Sequence, residues 1–68
     1  MNQPWLKGKW NEYKGKAKER WGKLTDDELD RVDGQRDQLV GIVQQEYGRS
    51  REQAEKELDQ WEKDNGLR

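Results

Sequence analysis

Apolar residues in this chain recur at intervals of three and four, which is the spacing that places side chains on one face of an α-helix. The longest such stripe lies in the first third of the sequence and consists of Leu6, Trp10, Tyr13, Ala17 and Trp21. At about 100° per residue, these side chains fall within an arc of about 80°. A second stripe near the other end comprises Ala54, Leu58 and Trp61. The pattern predicts an all-α fold made of amphipathic helices.

The first helix is predicted over residues 4–21, with Pro4 in the first turn, where proline is tolerated. Three glycines lie seven residues apart on the outward side of this helix, namely Gly8, Gly15 and Gly22. Gly22 is predicted to end the helix as a left-handed closing residue. A glycine inside a helix costs about 1 kcal/mol relative to alanine, so this helix should form chiefly when its apolar stripe is docked.

The second helix has the clearest start signal, in the segment LTDDEL. Thr25 is the predicted N-cap residue, and Glu28 completes a capping box three positions later. Leu24 and Leu29 flank this start as a hydrophobic staple. Gly34 follows closely and is predicted to end the helix, which makes the helix short.

Two further helices complete the predicted set of four. The third is expected over residues 35–47, ends at Gly48 and carries a wide apolar face, which is typical of a central helix. That face consists of Leu39, Val40, Ile42, Val43 and Tyr47. The fourth helix is predicted to begin at Ser50, whose capping box is completed by Gln53, and to end at residues 65–66.

Length and composition limit the size of the fold. A chain of 68 residues has room for one domain, expected over residues 1–68, and for a modest core. Only ten residues are Leu, Ile, Val or Phe and 43% are charged, which approaches the composition of disordered chains. Four tryptophans and two tyrosines favour folding, because each buries a large apolar surface. We therefore expect a small folded monomer.

Charge is unevenly distributed although the net charge is only −1. Residues 1–24 carry seven Lys or Arg against two Glu, whereas residues 25–68 carry seven Lys or Arg against thirteen acids. Acidic side chains flank the stripe of the fourth helix at Glu55, Glu57 and Glu62. We therefore predict that the first and fourth helices pack together with the acids of one facing the cations of the other.

The residue types argue against catalysis. The sequence contains no cysteine and no histidine, which excludes disulfides, thiolate chemistry, imidazole metal sites and histidine bases. Thr25 and Ser50 are already explained as helix caps, and neither a calcium loop nor a glycine-rich phosphate loop is present. We expect a non-enzymatic protein without cofactor or metal. It is expected to be cytoplasmic, because no segment resembles a signal peptide or a membrane span.

The basic first helix is the one feature that suggests binding. Its cations could neutralise phosphates while its aromatic side chains stack on bases, as in single-strand binders. The candidate polyanion-binding residues are Lys7, Lys9, Lys14, Lys16, Lys18, Arg20 and Lys23. In the alternative interpretation the aromatic residues belong to the core and the lysines form a solvated rim. A helix that lies on a lipid surface fits less well, since the domain needs the same apolar stripe for its core.

The sequence also carries a family resemblance. The run WNEYKGKAKERWGKLTDDEL, followed by GQRDQLVG, QQEYG and AEKELDQW, resembles the CsbD-like family in the order and spacing of its blocks. The resemblance implies a small bacterial protein of the general stress response, with no established biochemical activity and no catalytic residues. It also implies two α-hairpins packed roughly orthogonally, similar to SAM-like domains. Pro4, Trp5 and Leu6 depart from the more polar family N-terminus, so the role of Trp5 stays open.

Overall fold

A computed structural model describes residues 5–6 and 8–67, and within them it contains four α-helices and no strand. The helices are α1 (Trp10–Arg20), α2 (Asp26–Val32), α3 (Arg36–Tyr47) and α4 (Arg51–Asp64). Along the chain, α1 contacts α2, α2 contacts α3, and α3 contacts α4. The prediction of an all-α domain with four helices is confirmed.

Both predicted capping boxes are present. The backbone N–H of Glu28 donates to the Thr25 hydroxyl at 3.1 Å, and the Glu28 carboxylate accepts the Thr25 N–H at 2.9 Å. Ser50 and Gln53 make the same reciprocal pair, with 3.1 Å between the Gln53 nitrogen and the Ser50 hydroxyl. Side-chain caps of this kind stabilise a helix by about 1 kcal/mol each, so the starts of α2 and α4 are encoded locally.

The predicted bounds of the first helix are wrong at both ends. Residues 5–6 and 8–9 form turns, and α1 begins at Trp10, with Lys9 in the N-cap position and no capping side-chain bond. Pro4 lies outside the described residues. At the other end Trp21 terminates α1 with φ −123° and ψ 77°, and Gly22 is not left-handed. The chain leaves the helix there with the Trp21 side chain fully buried.

The other helix ends follow the sequence more closely. Asp33 adopts the left-handed conformation with φ 51°, one residue before the predicted stop at Gly34. Gly48 closes α3 with φ 63°, a conformation that costs a residue with a Cβ atom about 1 kcal/mol or more. Asn65 caps α4 and Gly66 follows with φ 72°, as predicted.

The predicted apolar stripes form the core. In and around α1, Leu6, Trp10, Ala17 and Trp21 are buried and Tyr13 is half-buried. The stripe of α4 is buried throughout, and α3 contributes Leu39, Val40 and Val43, while Ile42 and Tyr47 are half-buried. Both residues of the predicted staple, Leu24 and Leu29, are also buried. The interpretation of the α1 aromatics as core residues is therefore confirmed.

Trp61 of α4 lies at the centre of an aromatic cluster. Its ring centroid is 5.7 Å from that of Trp21, 6.3 Å from that of Tyr13 and 5.8 Å from that of Trp5. Trp5, whose position the sequence left open, therefore folds back onto the core and is half-buried. Aromatic pairs contribute about 0.5–1.5 kcal/mol each beyond area burial, so the cluster ties α1 and the N-terminal turn to α4.

Candidate polyanion-binding surface

The structure describes six of the seven candidate cations. Lys7 lies outside the described residues. Lys9 and Lys16 are exposed along α1. The remaining four, Lys14, Lys18, Arg20 and Lys23, contact acidic or aromatic side chains of the same chain.

One flank of α1 faces α2. Lys14 forms an ion pair with Asp30, and the Lys18 ammonium lies 3.1 Å from the Asp26 carboxylate. The hydrogen bond to Asp30 raises the pKa of Lys14 above its ordinary value. Because these pairs are largely exposed, they contribute little to stability. The pairs matter more for the surface charge, since each one cancels the charge of a candidate cation.

The other flank of α1 faces α4. The Arg20 guanidinium is 3.3 Å from one oxygen of Glu57, and the Trp21 indole N–H donates to that oxygen at 3.1 Å. The second oxygen of Glu57 accepts from Arg49 Nε at 2.7 Å. Burial raises the pKa of Glu57, but the hydrogen bonds from Trp21 and Arg49 outweigh it, so the net pKa lies below its ordinary value of 4.5.

The prediction that Glu55 faces the first helix is wrong, whereas Glu62 contacts both α3 and Trp5 of the N-terminal turn. Both acids contact Arg36 at the start of α3, with nitrogen-to-oxygen distances of 3.4 Å in each case. Arg36 also binds Asp59 at 2.8 Å, so it bridges α3 to three acids of α4. Glu62 is buried and accepts the Trp5 indole N–H at 2.8 Å. Glu57 contacts Arg20 of α1, and α3 packs along the side of α4 that carries Glu55 and Glu62.

Lys23 lies beside an aromatic ring. Its ammonium is 5.4 Å from the centroid of Tyr47, and its backbone N–H donates to the Tyr47 hydroxyl at 3.0 Å. The Arg49 guanidinium lies 5.6 Å from the same centroid. The sequence interpretation missed Arg49, which lies outside the helices. The available signal was its position in the segment Gly48–Arg49–Ser50, which joins two helix ends.

A shallow depression of about 240 Å³ lies between the C-terminal parts of α1 and α4. Its lining mixes both charges and comprises Lys16, Glu19, Arg20, Trp61, Asp64 and Asn65. Among the described residues, no group of three or more acidic side chains is arranged to hold a metal ion. None of the helices in the described part of the chain has the length and hydrophobicity needed to cross a membrane.

Comparison with known proteins gives a consistent result. Residues 6–56 match the family model described as CsbD-like. The UPF0337 protein YjbJ of Escherichia coli O6:H1 is 53% identical over 68 residues, which cover 100% of this chain and 99% of the relative. A UPF0337 protein of Pectobacterium atrosepticum is 56% identical over 62 residues, or 91% of this chain and 90% of the relative. One of Protochlamydia amoebophila is 53% identical over 57 residues, or 84% and 86%.

Proposed function

This chain belongs to the CsbD-like family, and from that premise we propose that it is a non-enzymatic general stress-response protein of the bacterial cytoplasm. It acts as a monomer, through abundance and weak interactions. The stress role is the one that the sequence resemblance implies. The physical character of the chain is suited to it, because a highly charged surface with a net charge of −1 binds much water without strong self-repulsion.

The observation that carries this proposal is the internal pairing of charge on both flanks of α1. Lys14 and Lys18 are paired with acids of α2, and Arg20 is paired with an acid of α4. Cations and anions therefore alternate on the surface. A surface with this pairing stays hydrated. This character supports a protein that remains dispersed at high concentration.

The proposal that the protein is not an enzyme rests on the state of its hydroxyl groups. Thr25 and Ser50 both accept a backbone N–H within their capping boxes. A nucleophilic hydroxyl needs an adjacent base that takes its proton, and the chain has no histidine to serve as that base. Helix capping accounts for both hydroxyls without any catalytic role.

We also propose the finer arrangement that the family resemblance implies, with the α1–α2 and α3–α4 hairpins packed roughly orthogonally as in SAM-like domains. The proposal is supported by the contacts within each hairpin and between α2 and α3. Residual dipolar couplings measured on the isotopically labelled protein give the interhelical angles directly. Hairpins that lie nearly parallel in solution would contradict the arrangement.

The functional proposal is tested by deleting the gene in its own host and measuring survival. We expect reduced survival after osmotic shock, heat and prolonged stationary phase, with restoration by the wild-type gene at native expression. A second strain that carries Trp61→Ala should fail to restore survival, since the aromatic cluster depends on that side chain. Equal survival of the deletion and wild-type strains under all three stresses would refute the stress role.

A further inference from the structure

Three cationic side chains from separate segments converge at one corner of the molecule. Arg20 ends α1, Lys23 lies in the turn before α2, and Arg49 lies in the linker before α4. Lys23 and Arg49 both lie against the Tyr47 ring, and Arg20 and Arg49 bind the two oxygens of Glu57. We call Arg20, Lys23, Tyr47 and Arg49 the cationic corner.

The cationic corner differs in charge balance from the flank of α1 that faces α2. On that flank Lys14 and Lys18 each meet one aspartate, so the charges cancel pair by pair. In the cationic corner Arg20 and Arg49 share the single carboxylate of Glu57, whereas the side chain of Lys23 contacts the Tyr47 ring. Three positive charges against one negative charge leave an excess of positive charge in direct contact.

Exposure strengthens this excess at the surface. The side chains of Arg20 and Arg49 are 45% and 43% exposed, whereas that of Glu57 is 19% exposed. An approaching molecule therefore meets the guanidinium groups before the carboxylate. Glu46 lies within electrostatic reach of Lys23 and offsets part of this excess, while a hydrogen bond with Glu28 raises the pKa of Glu46.

We propose that the cationic corner is a contact surface for the phosphate backbone of nucleic acid. Glu57 takes only the Nε–H of Arg49, which leaves the two terminal NH₂ groups of that guanidinium for an oxyanion. Arginine suits this role because its planar fork binds phosphate oxygens in pairs. The contact is independent of the stress role, since it depends only on the charges and exposure of these side chains.

The geometry favours the backbone over bases and over lipid. Cations already lie against the Tyr47 ring, and the Tyr47 hydroxyl accepts the Lys23 amide, so the ring offers no free platform for base stacking. The contact should therefore have no sequence preference. Binding to a lipid surface requires exposed apolar side chains that insert below the headgroups, and the cationic corner contributes only the half-buried Tyr47.

The test measures fluorescence anisotropy of a labelled duplex of mixed sequence titrated with the full chain, from about 20 mM to about 200 mM salt. Three phosphate contacts predict a slope of log K against log salt of about −2.7. A duplex of unrelated sequence should give the same affinity. Absence of binding at the lowest salt, or a strong sequence preference, would overturn the proposal.

Single substitutions show whether the cationic corner is the binding surface. Arg49→Gln and Lys23→Gln should each reduce the slope by about 1, while Arg49→Lys should leave it unchanged. The matched control is Lys9→Gln, which removes one charge from the opposite end of α1 and should not alter the slope. Helical circular dichroism confirms that each variant is folded, and Lys23→Gln, at an exposed side chain, decides the matter if Arg49→Gln unfolds.

Two further measurements separate the cationic corner from its alternatives. If Lys9→Gln and Lys16→Gln reduce the slope as much as Arg49→Gln, the whole of α1 is the binding surface and the proposal is wrong. Vesicles with anionic phosphatidylglycerol test for lipid. Binding to vesicles without binding to the duplex would overturn the proposal, whereas displacement of the duplex by inorganic polyphosphate would support recognition of phosphate.

Discussion

α1 and α4 pack against the same aromatic cluster, but their ends are determined in different ways. α4 begins at the capping box of Ser50 and Gln53, and ends where the Asn65 side chain donates to the Trp61 carbonyl at 2.8 Å. α1 begins after Lys9, which has no side-chain cap, and ends before Trp21, whose side chain is fully buried. The comparison teaches that α4 is bounded by local bonds, whereas α1 is bounded by its contacts with the rest of the molecule.

The interiors of the two helices differ in the same sense. α1 contains Gly15, which is exposed and costs about 1 kcal/mol relative to alanine. α4 carries an (i, i+4) ion pair between Arg51 and Glu55 at 2.9 Å, a spacing that supports a helix. Isolated helices of this length are marginal in water, so α1 depends more strongly on its docked stripe.

The largest expected effect is that of Trp21→Ala. Removing this fully buried ring should lower the free energy of unfolding by about 3–5 kcal/mol, as is usual for core aromatic residues. Urea unfolding measures the loss, and hydrogen exchange should show faster exchange in α1 than in α4. Trp21→Phe is the conservative control. Equal loss of protection in both helices would contradict the view that α1 is the more dependent one.

The second prediction concerns the local encoding of α4. Ser50→Ala removes the hydroxyl that accepts the Gln53 N–H and should destabilise the protein by about 1 kcal/mol in urea unfolding. Thr25→Ala, at the matching cap of α2, is the control and should cost about as much. A change near zero at Ser50 would mean that α4, like α1, is maintained by tertiary packing.

The third prediction concerns a substitution that should stabilise the protein. Gly15→Ala should stabilise the protein by about 0.5–1 kcal/mol, because a Cβ atom at Gly15 meets nothing within 4 Å. The matched control is Gly48→Ala, which also has open space around the Cβ but requires φ +63° and should therefore destabilise. Thermal unfolding measures both. Destabilisation by Gly15→Ala would indicate that α1 needs a glycine for a reason other than space within this chain.

The smallest expected effect is the loss of stability at acidic pH. The Glu57 carboxyl has a pKa below its ordinary value of 4.5, because its hydrogen bonds from Trp21 and Arg49 outweigh burial. A carboxyl with a lowered pKa contributes stability above its unfolded pKa, and this contribution is lost as the pH falls below about 4.5. Unfolding midpoints measured between neutral and acid pH should decrease in that window. Glu57→Gln should reduce the decrease, and an unchanged profile would be contrary evidence.

Local signals explain why much of the fold was predictable. The starts of α2 and α4 depend on hydrogen bonds between residues three positions apart. Thr25 and Ser50, which accept these bonds, can therefore be identified from the sequence alone. The start of α1 was mispredicted, since no capping bond marks Lys9 as the residue before the helix. The end was mispredicted as well, since Trp21 and not Gly22 is the closing residue. The apolar stripe was correct, since periodicity depends only on the helix itself.

The pairing of charged groups was less predictable, because it depends on how helices cross. The sequence indicated that cations flank the α1 stripe, but not that one flank would meet α2. Arg36 binds Glu55 and Glu62 across a contact between α3 and α4, which periodicity within one helix does not reveal. Arg49 was missed for the same reason, since its neighbours Glu57 and Tyr47 belong to two different helices.

The aromatic cluster also has an optical consequence. Trp10, Trp5, Trp61 and Trp21 form an unbroken series, with successive ring centroids 6.3, 5.8 and 5.7 Å apart. At such separations excitation passes from one indole to the next, which lowers the anisotropy of the emission. Trp61→Phe divides this series, because it separates Trp21 from the two indoles nearest the N-terminus. The tryptophan emission of the protein thus reports whether the N-terminal turn, α1 and α4 are assembled.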